Sequence, residues 1–313
     1  MVDDSFLLFS GSSHPHLSRE IAEDLKVVLG KAQITNFPDG EIGVQVLENV
    51  RGRDVFVIQS IARDPNLYLM ELLIFIDALK RASARRIVAV IPYYGYARQD
   101  RKDKRGVSIT AKLVADLLEK AGVDRVVTMD LHAEQIQGFF TIPVDHLYAY
   151  PILIKALRQL QCQDPIVTAP DIGSVKLARI MANEMGVPFA IVEKQRVNST
   201  DVRTCALIGN VQNKNVILVD DVCASGSTLI HAALACKRAG AYSIFAAITH
   251  GLFLGKIFLD KIISRFFVTN TIPLPNETDL SRIDLCNVAA IFGRAIKLIV
   301  NNGPENSLFR PTT

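Results

Sequence analysis

The chain has 313 residues, 49% hydrophobic and 21% charged, with a net charge of +3. That describes a globular protein of about two domains with ample core. No apolar run is long enough to span a bilayer, and the charge excess is too small to point to nucleic acid.

In chain order, the N-terminus "MVDDSFLLFSG" starts acidic and its apolar run is short, so it does not read as a signal peptide and a cytoplasmic protein is expected. "PDG" within 36–42 is strong turn chemistry. Apolar runs at 54–59, 86–93, 125–130, 165–169, 215–220 and 243–249 read as buried parallel strands. Helical patterns lie between them at 66–82, 109–121, 173–186 and 227–239. This alternation predicts α/β architecture, mostly parallel sheets flanked by crossover helices. "RQDRKDKR" (98–105) is the one concentrated charge run, and alone it reads as a solvated surface. Lys194 and Arg196 in "EKQR" alternate on a strand and share a face; such a pair is ordinarily a solvated edge. Five cysteines (Cys162, Cys205, Cys223, Cys236, Cys286) form no C-x-x-C pair and read as free thiols.

The chain also repeats itself. "DVFVIQS" at 54 and the helix and strand after it match "NVILVDD" at 215 and its successors; "REIAEDL" (19–25) matches "RIMANEM" (179–185). Two matches in the same order predict two similar domains, 1–148 and 149–313, joined near "LYAYP" (147–151). The polar tail from about residue 301 is expected to return over the surface onto the N-terminal domain.

The stretch "VILVDDVCASGST" (216–228) carries the chemistry. Ligands of open α/β sheets bind beyond the carboxyl ends of the strands. Unpaired N–H groups at a helix start suit a phosphate, and small side chains let it approach. Ionised carboxylates only accept hydrogen bonds, and a sugar's vicinal hydroxyls are natural donors to them. The stretch reads as a sugar-phosphate site. The competing reading, an aspartate helix cap and a turn, needs only one aspartate.

These residues resemble the phosphoribosyl-pyrophosphate loop of phosphoribosyltransferases and ribose-phosphate pyrophosphokinases. "YARQDRKDK" (96–104), "TMDLHAEQIQGFF" (128–140), "APD" (169–171), "EKQR" (193–196) and "TNTIP" (269–273) are similar to landmarks of the second family, in the right order and nearly end to end. The resemblance implies two tandem phosphoribosyltransferase-like domains, an ATP side (1–148) and a ribose 5-phosphate side (149–313). It implies transfer of the pyrophosphoryl group of ATP to the anomeric hydroxyl of ribose 5-phosphate, giving phosphoribosyl pyrophosphate and AMP for nucleotide biosynthesis. A non-catalytic regulatory homologue and a plain phosphoribosyltransferase are the alternatives. No Walker-type G-x-x-x-x-G-K-[ST] sequence is present.

By the same resemblance Lys194 and Arg196 are catalytic, stabilising charge on the transferred group. Asp220, Asp221, Ala224, Ser225, Gly226, Ser227 and Thr228 hold ribose 5-phosphate. Phe37, Asp39, Glu41, Arg98, Gln99, Asp100, Arg101, Lys102, Lys104 and His132 hold ATP, with Phe37 stacked on the base. His132 and Asp171 bind Mg²⁺, although histidine is an unusual ligand for a hard cation. A homo-oligomer, typically a hexamer, is implied, with the segment around Phe37 reaching a neighbouring subunit's site.

Several positions depart from the family. Ala224 replaces an acid, at an expected loss of one hydrogen bond, about 0.5–1.5 kcal/mol. Arg105 and Gly106 alter the mobile loop. Around the regulatory phosphate/ADP site, Asn49, Glu134 and the tail "PENSLF" replace small hydroxyl residues, while Arg51 is kept. Glu134 puts negative charge where an anion should bind, so weak phosphate activation is expected.

Overall fold

The computed structural model describes residues 6–196, 203–255, 257–258, 261–275, 278 and 280–303; the side chains of 194–196 and 203–205 lie outside that description. The elements run β1 (Phe6–Ser10), α1 (Pro15–Leu25), β2 (Ala32–Asn36), β3 (Ile42–Val46), β4 (Asp54–Ile58), α2 (Pro65–Arg81), β5 (Arg86–Ile91), α3 (Thr110–Ala121), β6 (Arg125–Met129) and β7 (Val144–Leu147). Then come α4 (Tyr150–Gln159), β8 (Pro165–Ala169), α5 (Val175–Met185), β9 (Phe189–Arg196), β10 (Arg203–Ile208), β11 (Asn215–Cys223), α6 (Ser227–Arg238), β12 (Ser243–Gly251), β13 (Arg265–Thr269), β14 (Ile283–Cys286) and α7 (Ala289–Val300).

Contacts divide the chain into two compact units. The first holds residues up to 148, residues 271–273 and the α7 segment from 288; the second holds 149–270 and 274–287. In the first, five parallel strands run β1-β4-β5-β6-β7, and β2 and β3 form a separate antiparallel hairpin. In the second, β8-β11-β12-β13-β14 repeat the same parallel order. There the hairpin joins the sheet instead: β9 pairs parallel with β8, and β10 antiparallel with β9. The internal repeat read from the sequence is therefore a repeat of topology, with β4 and β11 as equivalent strands.

Runs rich in Val and Ile are covered on both faces, as parallel strands between helices require. Val55, Phe56, Val57 and Ile58 of β4 are buried, as are Val216 to Val219 of β11. Phe9, Phe75, Ile91, Val114 and Ile136 belong to the first core; Leu218, Leu229, Ile248 and Phe266 belong to the second.

Helix α7 packs on α1 within the first unit, so the chain returns there at Val288 and not only from about residue 301. An aliphatic stripe drives the return: Phe292, Ala295, Ile296 and Ile299 are buried. Polar groups fix it. Lys297 Nζ donates to the Asp24 carbonyl at 3.1 Å, and Arg86 Nη2 donates to the Ile299 carbonyl at 3.1 Å. Arg86 also reaches Asp54 at 2.5 Å, and Arg85 reaches the other Asp54 oxygen at 2.8 Å. Burial works against charge on Asp54, but the two guanidiniums outweigh it and hold the carboxyl below its usual range.

A carboxyl with a lowered folded pKa contributes stability that is fully present above the unfolded value and lost as pH falls. Asp54→Asn is expected to reduce the unfolding free energy by about 1–3 kcal/mol at neutral pH, less than for a fully buried pair because both arginines are partly solvated. In urea titrations the gap between wild type and variant should narrow as pH falls below about 5 and close as it passes the lowered folded pKa.

Candidate functional site

The second unit carries the sugar-phosphate stretch. Strand β11 does not stop at the aspartates but runs on to Cys223, because β12 continues beside it and Val222 and Cys223 pair with His250 and Gly251. The chain then turns through Ala224 and Ser225 to Gly226, which caps α6 in the left-handed region at φ 81°. Ser227 and Thr228 occupy the first turn of α6, where N–H groups lack intrahelical partners. The Ser227 N–H makes a long contact of 3.4 Å to Ser225 Oγ, a bond that an incoming phosphate oxygen can replace. Ala224, Ser225, Gly226, Ser227 and Thr228 thus form one turn of small residues at a helix start, the kind of place that suits an anion.

A second segment braces this loop from behind. The Cys223 carbonyl accepts from the Leu252 and Phe253 N–H groups at 2.9 and 3.1 Å, and the Ala224 carbonyl accepts from Leu254 N–H at 2.8 Å. The approach is so close that a Cβ on Gly255 would lie 2.3 Å from the Ser225 carbonyl oxygen, and one on Gly226 would lie 2.4 Å from Ile257 Cδ1. Burial, with the Asp220 charge, pushes the Cys223 thiol far up, so it stays protonated and serves packing. The described free cysteines are Cys162, Cys223, Cys236 and Cys286.

Asp220 is 8% exposed and Asp221 half-buried. Ser174 Oγ donates to Asp220 Oδ1 at 2.6 Å, and the Asp221 N–H donates to the same oxygen at 3.1 Å. Burial and the neighbouring Asp221 charge raise the Asp220 pKa well above its usual range, with a smaller push from Asp171; the Ser174 hydrogen bond opposes them. Asp171 lies between β8 and α5, and its Oδ1 accepts from Gly173 N–H at 3.0 Å. Asp171, Asp220 and Asp221 are therefore electrostatic neighbours at one end of one sheet.

The first unit carries the residues expected to meet ATP. Phe37 stands at the tip of the β2–β3 hairpin, 47% exposed, its ring over Gly43, where a Cβ would come within 3.0 Å. Asp39 and Glu41 are exposed beside it, and Asp39 Oδ1 accepts from Glu41 N–H at 3.1 Å. The loop after β5 holds Arg98, Gln99 and Asp100. Gln99 Oε1 accepts from Thr110 Oγ1 at 2.6 Å, and Asp100 Oδ2 from Gln135 Nε2 at 3.2 Å. Arg98, Arg101, Lys102, Lys104 and Arg105 are exposed, and Gly106 follows at φ 77°. His132 is exposed just after β6. Its loop is held by His146, whose Nε2 accepts from Leu131 N–H at 2.9 Å inside the core.

Lys194 and Arg196 fall on β9, with backbone partners Cys205 and Arg203 on β10. The expectation for their side chains lies outside the described residues, as does the tail "PENSLF". Among the described residues, no three His, Cys, Asp or Glu side chains are grouped to hold a metal by themselves. Ser174, His146 and Gly255 are contributors that sequence reasoning missed. Only Ser174 had a signal, its position just before a helix.

Two consecutive α/β units of this topology, one with an aspartate pair on β11 followed by a turn of small residues into a helix, define a protein of phosphoribosyltransferase type. A profile described as the N-terminal domain of ribose phosphate pyrophosphokinase matches residues 6–122, and one for the phosphoribosyl transferase domain matches 151–267. A ribose-phosphate pyrophosphokinase of Clostridium perfringens is 48% identical over 97% of this chain and 97% of its own. That of Caldanaerobacter subterraneus is 48% identical over 98% of each. The crystal structure of phosphoribosylpyrophosphate synthetase from Mycobacterium smegmatis superposes with a TM-score of 0.91 at 38% identity, over 96% of this chain and 100% of that one. The chain belongs to the ribose-phosphate pyrophosphokinase family.

Gly255→Ala is expected to push the Ser225 carbonyl, which cannot swing away as a side-chain tip would. Ribose 5-phosphate affinity, followed by calorimetric titration, should fall about tenfold with little change in melting temperature.

Proposed function

We propose that this chain is the enzyme that makes 5-phosphoribosyl 1-pyrophosphate and AMP from ribose 5-phosphate and ATP. One observation carries the reading: full-length identity of 48% to relatives named for that activity. The phosphate cradle after β11 is consistent with it. The same coverage argues against a plain phosphoribosyltransferase and gives no support to a silent regulatory homologue.

The anomeric hydroxyl of ribose 5-phosphate attacks the β-phosphorus of ATP. The bond from that phosphorus to the oxygen bridging to the α-phosphate breaks, and AMP leaves with the bridging oxygen. Such transfers need positioning and charge neutralisation more than covalent catalysis. In this reading Asp220 and Asp221 accept from the ribose hydroxyls, and residues 224–228 hold the 5-phosphate through backbone N–H groups and hydroxyls. Phe37 offers an exposed ring for the adenine. Asp39 and Glu41, with Arg98 to Lys104, line the nucleotide side. Lys194 and Arg196 stabilise charge on the moving group.

Asp171 and His132 are the proposed Mg²⁺ ligands. Mg²⁺ commonly takes one or two carboxylates together with substrate phosphates, so a sparse protein donor set fits a metal that arrives with the nucleotide. When bound, it would neutralise charge on the phosphate oxygens. A cytoplasmic homo-oligomer is proposed alongside. No described helix is long and apolar enough to cross a membrane.

Purified protein with ribose 5-phosphate, ATP and Mg²⁺ should release AMP; none, with or without inorganic phosphate, would sink the catalytic reading. Lys194→Ala should lower kcat by roughly two to three orders of magnitude with an unchanged circular dichroism spectrum. Titration with inorganic phosphate should give little activation, because Glu134 brings negative charge and its Oε1 already lies 3.5 Å from the Tyr148 hydroxyl. A strong saturable dependence would overturn that.

A further inference from the structure

We propose that Ser174 is a positioning residue: its hydroxyl aims the ribose-binding carboxylate of Asp220 and ties the turn that carries Asp171 to the strand that carries Asp220 and Asp221. The inference rests on the reading that this aspartate pair holds the sugar.

The bond itself carries it, 2.6 Å from Ser174 Oγ to Asp220 Oδ1, between two buried side chains. Ser174 stands just before α5 with helical backbone, φ −87° and ψ 0°, and makes no side-chain cap bond; its hydroxyl reaches across to β11 instead.

The geometry says what the bond accomplishes. Asp220 Oδ1 receives two donors from different directions, Ser174 Oγ and Asp221 N–H. Two donors on one oxygen fix the plane of the carboxyl group and so the direction of its other oxygen. The hydrogen bond also opposes burial and the Asp221 and Asp171 charges, all of which favour protonation. On the other side, Ser174 is three residues from Asp171, whose carboxylate already accepts from Gly173 N–H at 3.0 Å. The turn 171–174 is thus braced at both ends, once within itself and once against β11.

The test compares Ser174→Ala, Ser174→Thr and Asp220→Asn with wild type. In Ser174→Ala, KM and the calorimetric Kd for ribose 5-phosphate should rise about tenfold, the scale of one hydrogen bond to a charged group, while KM for ATP stays within about twofold. Ser174→Thr, which keeps the hydroxyl, should restore the ribose 5-phosphate values. A merely structural serine would lower the melting temperature and the active fraction but leave both KM values alone, and that result would overturn the proposal. Equal loss in the threonine and alanine variants would overturn it as well. If Asp220→Asn loses ribose 5-phosphate binding while Ser174→Ala does not, the positioning role fails and the aspartate assignment stands. If Asp220→Asn binds as wild type does, the assignment itself fails and the proposal falls with it.

Discussion

A phosphate can be held by a helix start only if nothing bulky stands between its oxygens and the backbone N–H groups, and the proposed cradle of the second unit meets that constraint. Gly226 takes a left-handed conformation at the cap of α6, and Ala224 and Ser225 keep the turn small. The constraint reaches beyond the loop. The backbone of 252–254 is hydrogen-bonded to the carbonyls of Cys223 and Ala224, and Gly255 sits against Ser225 where any Cβ would collide. Strand β12 is drawn along β11 as far as Gly251 by the same need for a rigid backing. A turn formed of backbone keeps its shape when its carbonyls are engaged, and here those of Cys223 and Ala224 are.

The repeated topology shows how one arrangement of strands serves two chemistries. Both units use the same five-strand parallel order, so equivalent strand ends are available in each. In the second unit the strand end carries a carboxylate pair and a turn of small residues into a helix. In the first, the equivalent β4 is followed by Gln59 and Ser60, both buried, and the residues expected to meet a nucleotide lie instead on the β2–β3 tip and after β5 and β6. The hairpins differ too: β2 and β3 stand apart as their own sheet, whereas β9 and β10 extend the main one. Duplication kept the core and freed the loops, as expected where core packing is interlocked and loops face solvent.

Legibility followed the range of the interaction. The helices expected at 66–82, 109–121, 173–186 and 227–239 run 65–81, 110–121, 175–185 and 227–238, because their periodicity is local. The extension of β11 past Asp220 was not legible, since it depends on β12 offering a partner. The return of α7 to the first unit was placed too late in the chain, because its apolar stripe says that it must be covered but not by what. Asp220, Asp221 and residues 224–228 were legible as candidates for sugar-phosphate chemistry, from residue types that stand together in the chain. Ser174, His146 and Gly255 were not, since each matters only through a partner 15 or more residues away.

By itself the sequence determined the alternation of strands and helices, the duplication, the sugar-phosphate stretch and, by resemblance, the family. These are properties of neighbouring residues and of order along the chain. Tertiary structure alone decided that Ser174 is hydrogen-bonded to Asp220, that the turn after β11 is backed by 252–255, and that Asp54 is charged between two arginines. Those facts rest on distances of a few ångströms between residues far apart in sequence, and on burial, which changes the worth of a charge or a hydrogen bond. Neither exists until the strands have paired.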